Sequence, residues 1–447
     1  MRYAMWGHVF RMGSVVVMSA AAMAWGQAAA DAPQGFAPGD LAGLIAYVAP
    51  DGRPAVVDPQ SGARLLLSET PRRAQFPAWS PAGDAVSFIS VDASGAGVDV
   101  YRSGPDGAAA PERVRAYDRA AEPPIYHGWS PDGRWLAVLA SRAGGLGLYL
   151  LSAHGPAAGA DAAAGLPDEA PGEPRLLATG APFYWDWSRD GASLLVHRNV
   201  LGPDAEVGFT GLASYALEAS FAAPGAFRSP AVSPSAGWIA YATRDGGDTR
   251  RAVLQRVALD GAAEDSDDAR RELSHAGFAA FAWHPRRDLV AVQRAVVEAP
   301  HGYGPIVTID AATGDLTSVT DDLSLAFWWS PDGGSIAYLT PVAGSSGPQQ
   351  QVTLQVQAGG TRLALRVADV ATGLIRELGR FTPSPLFLNQ YVPFFDQYAR
   401  SHRLWSPASD ALVLPVIEGG RSLLVLYGLD GSVRALGPGD MPAWNVR

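Results

Sequence analysis

The sequence contains no cysteine, which excludes disulfides, thiolate nucleophiles, thiolate metal sites and a lipid-modified cysteine anchor. It contains no lysine either: all 34 basic residues are arginine. Alongside 50 glycines, 35 prolines and abundant alanine, that is a compositional bias and carries no functional signal. Basic residues are outnumbered by 44 acidic ones, giving a formal charge of −10. No nucleic-acid partner is expected, because phosphate binding needs clustered positive charge. The eight histidines show no His-x-x-x-His or Glu-x-x-His spacing, so no metal site and no cofactor are expected. There is no Gly-x-Ser-x-Gly elbow, and Gly344-Ser345-Ser346-Gly347 lies in a polar loop with no helix after it. Asp321-Asp322 lacks calcium-loop spacing. Glu264 to Asp268 reads as a solvated acidic loop and Ala153 to Pro174 as an Ala/Gly/Pro-rich insertion. No amphipathic helix is legible.

What is present begins with a targeting pattern. Arg2 and Arg11 give a positive start, Met12 to Trp25 is mostly apolar, and Ala28-Ala29-Ala30 supplies small residues before Asp31. Residues 1–30 are read as a signal peptide, with an uncleaved membrane anchor as the alternative. Residues 31–40 are read as a flexible lead-in. The protein is therefore expected outside the cytoplasm, in the periplasm or at the cell surface.

From residue 41 to 447 one phrase recurs. It reads Trp79-Ser80-Pro81-Ala82-Gly83, Trp129-Ser130-Pro131-Asp132-Gly133, Trp187-Ser188-Arg189-Asp190-Gly191 and Trp329-Ser330-Pro331-Asp332-Gly333. Reduced copies are Val232-Ser233-Pro234, Trp283-His284-Pro285, Trp405-Ser406-Pro407 and the terminal Trp444. Successive steps are 50, 58, 45, 51, 46, 76 and 39 residues, a period near that of a four-stranded propeller blade. Ser-Pro-Asp-Gly suits a type I turn, and β-rich runs such as Trp135 to Leu139 and Ser335 to Tyr338 follow it. The tryptophans are expected to pack between blades. The chain is thus predicted to be all-β, a single propeller of eight four-stranded blades, with seven as the alternative. The last strand, near Trp444, has no partners after it, and the strands from Leu44 onward have no inner strand before them. The C-terminal strand is predicted to complete the N-terminal blade and close the ring.

The Trp-Ser-Pro-Asp-Gly repeats resemble those of the TolB-type, WD-like propeller family of bacterial envelope proteins over residues 41 to 447. The resemblance implies a propeller fold and an envelope setting. The α/β domain ahead of the propeller in TolB is not expected, since strands begin at Leu44. The hydrolase domain that follows such a propeller in prolyl-oligopeptidase-like enzymes is not expected either, as sixteen residues follow Gly431.

Two groups of residues are candidates for function. The long step from Trp329 to Trp405 carries an aromatic insertion over 381–402, with Tyr391, Phe394, Phe395, Asp396, Tyr398 and Arg400. It is read either as a plug over the central opening or as a surface recognising a partner. His127, Asp186 and His402 lie on or near inner strands and are candidates for a site in the central channel. The expected function is non-catalytic binding of a protein or peptide in the cell envelope. The alternatives are a propeller hydrolase or polysaccharide lyase with a channel site, and a carbohydrate-binding module.

Overall fold

The computed structural model describes residues 41–446, apart from 71, 104–110, 154–172, 200–204, 213–216, 226–227, 245–249, 258–263, 265–268, 276–277, 295–303 and 343–360. The targeting segment and lead-in lie outside the described residues, as do most of the acidic run, Gly344 to Gly347, and nearly all of the insertion from Ala153 to Pro174.

Each repeat folds as a meander. The inner strand ends at the repeat tryptophan, the Ser-Pro turn reverses the chain, and the next strand runs back through the blade. In blade 3 the inner strand Pro124–Trp129 pairs with Trp135–Arg142, then Gly145–Ser152, then Arg175–Gly180. The turn chemistry explains its recurrence. Gly133 N–H donates to the Ser130 carbonyl at 3.0 Å, while Ser130 Oγ donates to Asp132 Oδ1 and accepts from Trp135 N–H at 2.9 Å. The closing glycine lies in the left-handed region at Gly83, Gly133, Gly191 and Gly333, with φ from +70° to +79°. Two reduced copies place Ala236 (φ +62°) and Ser409 (φ +60°) at that position, where a Cβ is unfavourable.

There are eight sheets. The Val232 unit is a true blade, with Ala231–Val232, Trp238–Arg244, Arg250–Arg256 and Arg270–His275 in order. Blade 1 combines Ile45–Val48, Pro54–Val57 and Arg64–Leu66 with the C-terminal strand Asp440–Trp444, and Ile45 pairs with Trp444 and Ala46 with Ala443. Asn445 latches this closure: its Nδ2 donates to the carbonyls of Leu41 (2.6 Å) and Gly83 (2.9 Å). Blade 8 has three full strands, its inner position reduced to a bridge between Trp405 and Leu412.

The tryptophans lie between blades and also link them. Trp79, Trp129, Trp283, Trp329 and Trp405 each donate an indole N–H to the residue just before the equivalent position of the preceding blade: Ala443, Ala78, Ala231, Ala282 and Trp328, at 2.9–3.2 Å. Among the described residues, Trp187 and Trp444 have buried indole N–H groups without such an acceptor, and blade 5 has Val232 instead. The ladder is broken between blades 3 and 4, 4 and 5, and 8 and 1.

Candidate functional site

The insertion after blade 7 folds back over the ring and is helical, contrary to the expectation of no helix. Residues Phe387–Tyr391, Val392–Phe394 and Phe395–Tyr398 form successive short helical turns. Phe387, Tyr391, Phe395, Tyr398 and His402 recur every three to four positions, a helical period, and all five are buried. Pro393 stands at the start of the second turn, where it ends the first.

This segment meets the inner strands at their starting ends. Tyr398 stacks on Phe76 with ring centroids 4.8 Å apart. Phe76 sits at φ +49° in a strand bulge, a conformation that costs a non-glycine residue about 1–2 kcal/mol. Phe395 packs edge-on against Phe327 at 5.3 Å. Tyr391 Oη accepts from Trp328 Nε1 at 3.0 Å and donates to the His402 carbonyl at 3.2 Å; burial drives its pKa up. Asp396 accepts from Ser229 N–H at 2.8 Å and pairs with Arg228 at 3.4 Å. Gln397 bonds both backbone groups of Trp185, at 3.0 Å each. Arg400 pairs with Asp186 at 2.7 Å and donates to the carbonyls of Trp185 (3.2 Å) and Pro230. Of the six insertion residues singled out from sequence, Tyr391, Phe395, Asp396 and Tyr398 are buried and Arg400 is partly so, while Phe394 is 44% exposed.

Behind the segment, inside the ring, is a cavity of about 470 Å³. It is lined by Trp79, Trp129, Trp187, Trp283 and Trp329, at its base by Phe395 and Arg400 of the insertion and by Arg403 just after it, and at its far rim by the turn residues Pro81, Ser130, Pro131 and Arg189. The cavity is thus a cup, blocked at the insertion end and bounded by Ser-Pro turns at the other.

Of the three channel candidates, Asp186 lines the cup. Its carboxylate is engaged by Arg400 and by the backbone N–H groups of Trp187 (3.0 Å) and Val232 (2.8 Å). His127 and His402 lie buried in the wall between blades 2, 3 and 8. His127 Nε2 bonds Ser87 Oγ at 2.8 Å, and His402 Nδ1–H donates to the Pro77 carbonyl at 3.2 Å. Burial pushes the pKa of each down to about 4, so both are neutral at pH 7. The three side chains do not converge on one point, and among the described residues no three metal-ligating side chains cluster.

Sequence reasoning missed Arg403. It stands two residues before Trp405, a position occupied in the other blades by Pro442, Pro77, His127, Trp185, Pro230, Phe281 and Phe327. An arginine in that otherwise uncharged column was the available signal. Its side chain keeps accessible surface, but that surface faces the cup. Protein crowded around it pushes its pKa down to about 10.

A scan against protein-family models found no match, and a search of curated proteins by sequence found none. The solved structures similar to this chain include TolB propellers. TolB from Acinetobacter baumannii is 14% identical over 91% of this chain and 68% of its own, with a TM-score of 0.40. An oligogalacturonate lyase in complex with manganese is 11% identical over 90% and 86%, with a TM-score of 0.44. Prolyl oligopeptidase B from Galerina marginata is 11% identical over 84% of this chain and 51% of its own, with a TM-score of 0.51. This chain spans about half the length of that enzyme, and at such identities the likeness is one of fold.

Proposed function

We propose that the protein is a non-catalytic propeller that binds a protein or peptide partner outside the cytoplasm, and that the partner enters the central cup from the side of the Ser-Pro turns. The observation that carries this reading is the cup itself: a cavity of about 470 Å³, within the ~300–1,000 Å³ range of ordinary ligand sites, where Trp283 and Trp329 keep accessible surface. Indole rings are favoured recognition surfaces, giving large contact area at little conformational cost. The acid–base groups nearest the channel support binding over catalysis. His127 and His402 are held away from the cavity by partners in the wall, and Asp186 is neutralised by Arg400. The insertion acts as a plug that forms the base of the cup, with Phe394 as its exposed tip. The positive start, apolar stretch and small residues of positions 1–30 support export.

The test is site-specific photocrosslinking in cells. A p-benzoylphenylalanine replaces Pro131 at the rim or, as a control, Leu374 on the outer edge, which is 61% exposed. A discrete adduct from the rim position alone is the expected result. Adducts from the outer position alone, or none from either, would overturn the reading.

A further inference from the structure

The cup holds an electrostatic imbalance. The chain as a whole is acidic, at −10, yet Arg189, Arg400 and Arg403 line the cavity against only Asp186 and Asp396. Both carboxylates are already committed: Asp186 to Arg400 and two backbone N–H groups, Asp396 to Arg228 and Ser229. Arg189 is committed as well, donating to the carbonyls of Ser233 (2.9 Å) and Val232. Arg403 alone of the three arginines has no acceptor or carboxylate among the described residues, although its guanidinium offers five donors. It stands level with Trp185, Phe281 and Phe327, at the plugged end. Arg403 is exposed and lines the cup, so its guanidinium is open to an anionic group of a ligand that enters.

Resting on the binding function proposed above, we infer that Arg403 is the anion-recognition residue of the cup and that the ligand is a peptide chain end, inserted with its terminal carboxylate against the Arg403 guanidinium. The plug supplies the directional part of this inference. An extended segment threading through an open channel would leave both ends outside, whereas a blocked cup accepts a chain that terminates in it. The planar guanidinium fork matches a carboxylate with two parallel hydrogen bonds.

The probe is a fluorescein-labelled hexapeptide mixture, randomised at its last four positions over residues other than Asp and Glu. It is made once as the free acid and once as the C-terminal amide, and binding to the full chain is followed by anisotropy. The acid mixture should bind at least ten-fold more tightly than the amide. Arg403→Gln should reduce that ratio below two-fold by weakening the acid far more than the amide, and Arg403→Lys should retain part of the preference. Equal binding of acid and amide would overturn the chain-end inference and leave the cup as a peptide site. An acid preference that survives Arg403→Gln would assign the carboxylate elsewhere and equally overturn it. Binding of neither mixture would overturn both this inference and the peptide reading. In a parallel arm, Arg403-dependent binding of an oligouronate with no peptide binding would replace the chain end by an acidic sugar.

Discussion

Replacing Arg403 separates a residue kept for binding from one kept for folding. An ordinary arginine titrates at 12.5, and crowding at the base of the cup lowers Arg403 to about 10. That gap corresponds to roughly 3 kcal/mol acting against the charged form at any pH below about 10. The guanidinium keeps surface facing the cavity, and solvent screening there reduces the net penalty to about 1 kcal/mol. No hydrogen bond or ion pair to its side chain is present among the described residues to offset it. Arg403→Gln should therefore stabilise the protein by about 1 kcal/mol, where most buried-position changes do the opposite. The assay is urea unfolding, with the midpoint rising at constant slope. A terminal carboxylate in excess should narrow the difference, because ligand binding stabilises the native state of the wild type by mass action and has little hold on the variant. A fall of 1 kcal/mol or more in Arg403→Gln would show that the guanidinium is holding the fold together, and the reasoning would fail.

Three further outcomes follow from the geometry. Phe395→Ala should destabilise by about 3–5 kcal/mol through cavity formation, whereas Phe394→Ala, at 44% exposure, should change stability by less than about 0.5 kcal/mol; denaturation of the pair distinguishes plug from surface. His127, His197 and His402 are each depressed by burial to about 4, below the ordinary 6.5. Between those values the unfolded chain binds more protons than the folded one, so stability should fall as pH drops from about 6.5 toward 4. Each contributes up to about 3 kcal/mol, and His127→Gln should flatten the profile of melting temperature against pH. Ala236→Gly should stabilise by about 1 kcal/mol by removing a Cβ from a left-handed position, measurable as a raised urea midpoint; a lower midpoint would place the strain elsewhere.

The architecture was legible because each blade repeats the same local solution. A Ser-Pro turn closed by glycine dictates where strands reverse, and the spacing of Trp79, Trp129, Trp187, Trp283 and Trp329 sets the period. Even the closure could be read, since three strands lacked an inner partner at one end and one strand lacked outer partners at the other. The site was less legible because it depends on the ring. Arg403 is unremarkable in its own segment and becomes distinct only when its column is compared across blades. His127 sits on an inner strand and His402 just before the Trp405 bridge, but both rings turn into the wall between blades. The helical period of Phe387, Tyr391, Phe395 and Tyr398 was present in the sequence and was obscured by the three prolines around it.

The plug has a consequence for how the ring comes apart. In a repeat array each unit is held mainly by its two neighbours, and unfolding can begin wherever one interface is weakest. Here the indole ladder is missing on both sides of blade 4. Those are the places reached by Gln397 and Arg400 on Trp185 and Asp186, and by Asp396 and Arg400 on Ser229 and Pro230. A segment rooted between blades 7 and 8 thus braces the hub on both sides of blade 4. Blade 4 cannot peel away alone without also dislodging contacts anchored far along the chain. Such a cross-brace couples blades that are not nearest neighbours. It also makes the residues that brace the ring neighbours of the residue that would grip a ligand.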